Sequence, residues 1–303
     1  SSTSRGLGDV YKRQAYDRAI ALKPDYFAAH NNRGNALRDL KRYGEALATY
    51  DRAIALNAGY AEAHGNRGTV LRDMGRFADA IESFDRAIGV RPDFADAHSN
   101  KGNALRDLGR LDEALACHDR AIALKPDYID AHGNRGNVLK DMGRWEEAAR
   151  SYGRALALKP DYVPGHFNSG ILALTRGEFS VGWAEYEWRK KLPIPTGKKA
   201  YPQPAWTGEQ PIDGKTVFLY WEQGLGDTIQ FCRYARMVQR AGATVAMSVQ
   251  DALVSLLRRN FPTIPVVGAK QRLRKFDYHC SLMSLPLAFR TDLASIPADT
   301  PYI

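Results

Sequence analysis

A block of nine residues recurs along the first half of the chain at a fixed spacing of 34 residues. The copies read AHNNRGNAL, AHGNRGTVL, AHSNKGNAL, AHGNRGNVL and GHFNSGILA, and they begin at Ala29, Ala63, Ala97, Ala131 and Gly165. A period of this length is typical of stacked supersecondary units, each of which buries its apolar face against its neighbours. This part of the chain is therefore expected to form an extended stack of similar units.

Four further positions repeat in register and predict two helices in each unit. Glycine recurs in the first helix and alanine in the second, where two helix backbones must approach closely: Gly34, Gly68, Gly102, Gly136 and Gly170, with Ala46, Ala80, Ala114 and Ala148. A large ring follows at Tyr50, Phe84, Tyr152 and Tyr186, with His118 as the exception. Proline closes most units, at Pro24, Pro92, Pro126 and Pro160, because it cannot continue a helix; Ala58 departs from this rule.

The pattern resembles the tetratricopeptide repeat, and the resemblance covers residues 15–192 as about five copies and a partial first one. It implies an α-solenoid of helical hairpins whose stability is spread along the array. It also implies a protein or peptide partner, held in the groove of the solenoid.

Histidine and asparagine each recur once in every copy. The histidines are His30, His64, His98, His132 and His166; a metal site needs ligands on one turn or from converging elements, so we expect a packing role and no metal. The asparagines are Asn32, Asn66, Asn100, Asn134 and Asn168, supplemented by Asn35, Asn103 and Asn137. In tetratricopeptide folds this position lines the concave wall, and the similar ladder of the O-linked N-acetylglucosamine transferases holds a peptide backbone. An amide suits that task because it both donates and accepts hydrogen bonds. The alternative is that these amides bind only the next repeat or water.

The helical pattern stops after Lys191, and a connector rich in proline and glycine follows over 193–214. Strand and helix patterns then alternate. We predict strands over 216–220, 244–249, 264–267 and 278–282, with helices over 228–241 and 252–260. This alternation predicts a parallel sheet with helices packed on it, with binding groups at the carboxyl ends of the strands.

The loop after the first predicted strand reads EQGLGD over 222–227 and carries the strongest candidate chemistry. Gly224 and Gly226 would allow a tight turn out of the strand, and Asp227 would lie at the first turn of the next helix. A dinucleotide fingerprint would need a third glycine where Ile229 stands, and an aspartate in the turn would repel a pyrophosphate. Asp251, at the end of the second predicted strand, could still contact a ribose, so a dinucleotide cofactor is a minor alternative. Two roles for Asp227 stay open: a base that takes a proton from a sugar hydroxyl, or the cap of its own helix.

Residues 201–303 resemble the region that follows the repeats in bacterial tetratricopeptide proteins with a glycosyltransferase tail. The stretches that carry the resemblance are PAWTGEQPIDGKTVFLY, WEQGLGDTIQFCRYARM and FDYHCSLMSLPLAF. That tail is similar to glycosyltransferase family 9, the heptosyltransferase type, so the resemblance implies a Rossmann-like half of a GT-B fold over 215–303. It further implies that Asp227 is the general base, that Gln223, Gly224 and Gly226 form the acceptor-binding loop, and that a nucleotide sugar is the cosubstrate of a metal-independent enzyme.

Both ends of the sequence suggest a fragment. Residues 1–14 contain DVYKRQ, which resembles the translation of a transposon end used in sequencing libraries, so we expect a scar there. A GT-B enzyme also needs a second half of on the order of 150 residues, so the sheet domain is expected to be truncated. The leading hypothesis is a fragment of a bacterial glycosyltransferase, inactive as it stands, whose solenoid recruits a protein or other acceptor. The alternative is a non-enzymatic tetratricopeptide adaptor.

Composition argues against several other classes of protein. The net charge of +9 is spread over both halves of the chain, so we expect no nucleic-acid partner. No apolar run reaches the length that crosses a bilayer, and the three cysteines are far apart, which favours neither a disulfide framework nor a cysteine zinc site. We expect a cytoplasmic protein with no bound cofactor.

Overall fold

The computed structural model describes residues 2–192, 201–271 and 275–298. The chain divides into two compact units, Ser1–Tyr162 and Val163–Ile303. The division falls before the last copy of the repeat, so the final helical hairpin belongs to the same unit as the sheet. Within the described residues, no helix is both long enough and apolar enough to cross a membrane.

The first unit is a row of antiparallel helical hairpins, as the repeat pattern predicts. Its helices are α1 (Ser2–Leu22), α2 (Phe27–Asp39), α3 (Tyr43–Leu56), α4 (Ala61–Asp73), α5 (Phe77–Val90), α6 (Ala95–Asp107), α7 (Leu111–Leu124), α8 (Ile129–Asp141) and α9 (Trp145–Leu158). Each hairpin packs on the next, because the second helix of one repeat contacts the first helix of the following one. The predicted α-solenoid is therefore confirmed.

The repeated glycines are required by the rings that face them. A Cβ atom on Gly136 would lie 2.5 Å from a ring carbon of Tyr152, and one on Gly34 would lie 2.5 Å from the ring of Tyr50. Both tyrosines are fully buried, so neither ring can move aside into solvent. Gly68 faces Phe84 in the same way, at 2.8 Å. The glycine and the ring thus form one packing contact that recurs in each hairpin.

We expect Gly136→Ala to lower the free energy of unfolding by about 1–3 kcal/mol, because the added methyl group overpacks a buried ring. Gly153→Ala is the matched control. Gly153 is an exposed residue within α9, and a Cβ there would meet no atom within 4 Å. That substitution should raise the free energy of unfolding by about 0.5–1 kcal/mol through helix propensity. Chemical denaturation followed by far-ultraviolet circular dichroism measures both, and equal effects at the two sites would refute the packing role.

The second unit begins with another hairpin, α10 (Val163–Thr175) and α11 (Phe179–Tyr186), followed by a 3₁₀ turn at Glu187–Lys191. The helices approach so closely at Gly170 that a Cβ there would lie 2.7 Å from the backbone nitrogen of Tyr186. Trp183 and Tyr186 pack against the hydrophobic core of the sheet that follows. The aromatic residues of this hairpin therefore join it to the rest of its unit.

The rest of the second unit is a four-stranded parallel sheet in the order β3-β2-β1-β4. Its strands are β1 (Thr216–Tyr220), β2 (Thr244–Ser248), β3 (Val266–Val267) and β4 (Tyr278–Ser281). Its helices are α12 (Leu225–Phe231), α13 (Ala235–Arg240), α14 (Val254–Asn260) and α15 (Leu285–Ala288). The prediction of a parallel sheet is confirmed, although the third strand is shorter than expected and a 3₁₀ turn divides the first predicted helix.

Part of the predicted connector pairs with the sheet. The backbone N–H of Trp206 donates to the carbonyl of His279 at 2.8 Å, and the N–H of His279 donates to the carbonyl of Pro204 at 3.1 Å. Ala205 thereby forms a parallel bridge beside β4. Residues 193–200 of the connector lie outside the described residues.

Candidate functional site

The first helix of each repeat presents a polar face. At about 100° per residue, positions 31, 32, 35, 38 and 39 of α2 fall within one arc, opposite the side on which Gly34 and Leu37 pack. The other four positions of this arc are polar again at 34-residue intervals on α4, α6 and α8, whereas the position of Asn31 is taken there by the buried residues Gly65, Ser99 and Gly133. Successive first helices also contact one another, so these arcs line one continuous wall of the first unit. We call this wall the first-helix face.

Asparagines occupy the middle of the first-helix face. All members of the predicted ladder, Asn32, Asn66, Asn100, Asn134 and Asn168, are half-buried, and Asn168 takes the same position on α10 in the second unit. Asn66 donates from Nδ2 to Oδ1 of Asn31 at 2.9 Å, which links α4 to α2. The side chains of Asn100 and Asn134 form no hydrogen bond with any residue in the described part of the chain. Their amides are thus available to a ligand or to solvent.

The charged residues of the first-helix face neutralise one another. Arg72 binds Asp107 at 2.6 Å, and Arg106 binds Asp141 at 2.6 Å, so each pair joins neighbouring first helices. The four cations of this row are balanced by four aspartates: Arg38, Arg72, Arg106 and Lys140, with Asp39, Asp73, Asp107 and Asp141. The three arginines of this row are thus paired with aspartates, and the asparagine amides lie on the same face.

The supplementary asparagines have a structural role. Asn35 accepts a hydrogen bond from the hydroxyl of Tyr50 at 2.7 Å, and Asn137 accepts one from Tyr152 at 2.8 Å. In the third repeat Asn103 stands opposite His118 instead of a tyrosine. Neither ring nitrogen of this fully buried histidine has a hydrogen-bond partner among the residues that the structure describes. Burial lowers the pKa of His118 to about 4, aided by the charges of Arg106 and Arg135.

The histidine ladder fixes turns. In four repeats the Nε2 atom lies 2.9–3.1 Å from the backbone carbonyl six residues earlier, that of Pro24, Ala58, Pro92 or Pro126. A carbonyl only accepts, so Nε2 carries the proton. In the last repeat, Nδ1 of His166 lies 2.5 Å from a carboxylate oxygen of Glu185, and the ring stacks on Trp188. Among the described residues, no three ligand-type side chains group in a way that could hold a metal ion.

The loop after β1 is held by a residue that the sequence did not single out. The side chain of Gln250, which follows β2, donates to the carbonyl of Gln223 at 2.8 Å and to that of Gly224 at 3.1 Å. Its oxygen accepts from the hydroxyl of Thr228 at 2.9 Å. These bonds join positions more than twenty residues apart, so no short motif reveals them. The predicted acceptor-binding loop is thus fixed to the neighbouring strand end.

Asp227 caps its own helix. Its Oδ2 atom accepts a hydrogen bond from the backbone N–H of Gly224 at 3.0 Å. Gly224 is the N-cap of α12 and Asp227 is the third residue of the helix, so the helix begins three residues before the predicted start. This is the contact that the capping alternative requires, and it accounts for a carboxylate at this position. The role of general base stays a prediction.

The two loop glycines do not provide the tight turn that was predicted for them. Gly224 has φ −67°, and Gly226 lies within α12, so neither uses the left-handed backbone that only glycine adopts freely. A Cβ on Gly226 would meet no atom within 4 Å. The turn out of β1 is made by ordinary backbone angles and stabilised by Gln250 and Asp227.

A buried arginine joins the last hairpin to the strand ends of the sheet. Arg189 binds Glu187 at 2.6 Å and Glu222 at 2.8 Å, and its side chain is 2% exposed. It also donates to the hydroxyl of Ser284 at 2.9 Å. Burial would raise the pKa of Glu187, but the charges of Arg189 and Lys190 hold it below its ordinary value. This network lies beside the candidate loop, and no short motif in the sequence marks its residues.

Comparison with known families identifies the repeats. Tetratricopeptide repeat models match residues 25–93, 66–129 and 129–162. The chain therefore contains tetratricopeptide repeats. All three matches lie outside residues 201–303, so the glycosyltransferase resemblance of that region remains a proposal. No curated protein matches the chain.

Several solved structures of helical-repeat proteins match part of the chain. The Cut9–Hcn1 hetero-tetramer of APC/C matches with a TM-score of 0.55 and 13% identity, over 60% of this chain and 36% of that chain. TTC0263, a thermophilic TPR protein in Thermus thermophilus, matches with a TM-score of 0.49 and 24% identity, over 55% of this chain and 91% of that chain. YrrB, described as a TPR protein with an unusual peptide-binding site, matches with a TM-score of 0.46 and 21% identity, over 59% of this chain and 92% of that chain. At these identities the likeness concerns the fold alone.

Proposed function

We propose that the chain is a protein-interaction scaffold that binds an extended peptide along the first-helix face. The observation that carries the proposal is the pair of half-buried amides of Asn100 and Asn134, which have no partner among the described residues. Asn32, Asn66 and Asn168 hold the same position in the other repeats. A peptide backbone offers one donor and one acceptor per residue, and a side-chain amide can pair with both.

The charge arrangement favours recognition of the peptide backbone over recognition of charged side chains. Arg72 and Arg106 are paired with aspartates of the neighbouring repeat, so binding an acidic peptide would require those pairs to break. A backbone ligand leaves them in place. We therefore expect a partner of varied sequence whose affinity depends little on salt.

The test uses peptides selected from a random library displayed against the whole chain. We expect Asn100→Ala with Asn134→Ala to weaken the selected peptides by about 2 kcal/mol, a roughly 30-fold change, because each lost hydrogen bond contributes about 1 kcal/mol. Glu82→Ala, at an exposed site on α5, is the control and should leave the affinity unchanged. Fluorescence anisotropy measures the affinities. Undiminished binding by the double variant would exclude the asparagine ladder as the binding site.

A second candidate function is the glycosyl transfer implied by the resemblance of residues 201–303. It is supported by the strand order β3-β2-β1-β4, which matches one half of a Rossmann-like sheet, and by the placement of Gln223, Gly224, Gly226 and Asp227 at the carboxyl end of β1. In this hypothesis the sheet is the acceptor-side half of a GT-B enzyme. A nucleotide sugar would be the donor, and the solenoid would present the acceptor.

Two substitutions of Asp227 separate capping from catalysis. Asp227→Asn keeps an oxygen that can accept from Gly224 N–H, so it should preserve stability, whereas Asp227→Ala should cost about 1 kcal/mol. If Asp227 is a general base, both variants lose transfer of sugar from a nucleotide-sugar donor in a protein that shows this activity. Thermal unfolding and product analysis give the two readouts. Full activity of Asp227→Asn would show that Asp227 caps its helix and is not the general base.

A further inference from the structure

Arg290 adopts a backbone conformation that glycine would take at lower cost. Its φ angle is +49°, in the left-handed region, and it lies two residues after the end of α15, beyond the C-cap Phe289. In the described part of the chain only one other non-glycine residue does this, Lys41 at +59°. The turns equivalent to Lys41 in later repeats use glycine, as at Gly75 and Gly109. A side-chain-bearing residue in this conformation costs free energy that glycine would not.

The side chain of Arg290 lines a cavity of about 470 Å³ inside the second unit. The cavity lies between the turn that joins α10 to α11 and the loop after α15. Its apolar part is formed by Phe179 and Trp183, whose rings stack with centroids 6.4 Å apart. The indole N–H of Trp183 donates to the carbonyl of Thr291 at 3.0 Å, which fixes the ring in place. The cavity has a size that suits a small ligand.

The polar groups at the rim include both a donor and acceptors. The guanidinium of Arg290 forms no hydrogen bond or ion pair with any residue that the structure describes. Glu178 is paired with Arg176 at 2.9 Å, and Asp292 accepts from both the N–H and the hydroxyl of Ser295. The two carboxylates therefore have local partners but keep oxygens that can accept a further bond, while the guanidinium can only donate.

We infer that this cavity binds a neutral sugar ring. A phosphate or carboxylate ligand accepts only and would face the carboxylates of Glu178 and Asp292. An ammonium ligand donates only and would face Arg290. A hydroxyl does both, so a ring with several hydroxyls pairs with all three groups. The apolar surface that Phe179 and Trp183 contribute to the cavity can contact the carbon–hydrogen face of such a ring. This inference is independent of the proposed peptide-binding function.

The experiment is a titration of the whole chain with methyl α-D-glucopyranoside and with N-acetyl-D-glucosamine, each to about 100 mM, which detects millimolar Kd values. Nitrogen-15 correlation spectra follow the indole signals of the five tryptophans. We expect one of the sugars to shift the signal of Trp183. Arg290→Gly relieves the backbone strain while it removes the guanidinium, so its melting temperature should be unchanged or higher and its sugar affinity at least tenfold lower.

Lys41→Gly is the matched control, because it relieves the same kind of strain in the other unit and should bind sugar as the unaltered chain does. Three results would overturn the inference. In the first, neither sugar shifts the Trp183 signal. In the second, Arg290→Gly binds sugar with unchanged affinity. In the third, zwitterionic phenylalanine shifts the signal while both sugars fail, which would make the cavity a site for an amino acid or a peptide side chain.

Discussion

Replacing Arg189 with methionine is expected to lower the free energy of unfolding of the second unit by about 3–5 kcal/mol. Methionine keeps much of the aliphatic volume but leaves Glu222, 16% exposed, without its cation. Glu187 loses one of its two cations and keeps Lys190, and the hydroxyl of Ser284 loses a donor. The cost is large because a buried carboxylate without a partner loses its hydration and gains nothing in exchange.

Four of the five tryptophans lie in the second unit, so denaturation followed by tryptophan fluorescence reports on it. Arg86→Ala is the control, since it removes an exposed pair with Glu82 and should cost under about 0.5 kcal/mol. The double variant Arg189→Met, Glu222→Gln should recover part of the loss, because the uncompensated charge is then gone. A loss below about 1 kcal/mol for Arg189→Met would contradict the role assigned to this network.

Replacing His118 with tyrosine is expected to stabilise the first unit and to remove part of its sensitivity to acid. The folded chain holds His118 neutral, with a pKa of about 4, whereas an exposed histidine has a pKa of about 6.5. Between these values the unfolded chain binds a proton that the folded chain does not. Stability is therefore fully present above about pH 6.5 and falls as the pH drops toward 4, by about 3 kcal/mol in all.

At neutral pH the tyrosine should add about 1–2 kcal/mol, because it removes two unpaired buried nitrogens and places a hydroxyl where Asn103 can accept from it. The hydrogen bond from the hydroxyl of Tyr50 to Asn35 shows the geometry that the new tyrosine would adopt with Asn103. Phe84→Tyr is the control, since Thr69 stands in place of the asparagine there, and the acid sensitivity should persist. Urea denaturation at pH 7, 5.5 and 4.5 gives the comparison. Parallel pH profiles for the unaltered chain and His118→Tyr would show that this histidine does not carry the effect.

The repeats were predictable because their packing is local in the sequence. Gly136 and Tyr152 lie within one hairpin, and the same pair recurs in register, so the pattern shows both the helices and their contact. Strand β1 was predicted residue for residue, because a run of five apolar or β-branched residues between polar turns is typical of a buried strand and too short for a helix. The start of α12 was misplaced because Asp227 caps from the third helical position and not from the N-cap.

The contacts that organise the sheet unit could not be read from spacing. Arg189 meets Glu222 and Ser284 across 33 and 95 residues, and Gln250 reaches back 27 residues to the loop after β1. None of these residues belongs to a short motif, so only the folded chain reveals their roles. The left-handed backbone of Arg290 is likewise set by the turn, and the presence of an arginine in the sequence does not predict it.

The place of the last hairpin has a practical consequence for anyone who divides this chain for separate study. Counting repeats suggests cutting after residue 192, yet a cut there would strip Trp183 and Arg189 of the surroundings that bury their side chains. The excised piece would expose these apolar and charged side chains to solvent and would tend to aggregate. A division between Tyr162 and Val163 follows the boundary of the two compact units and keeps the last hairpin with the sheet.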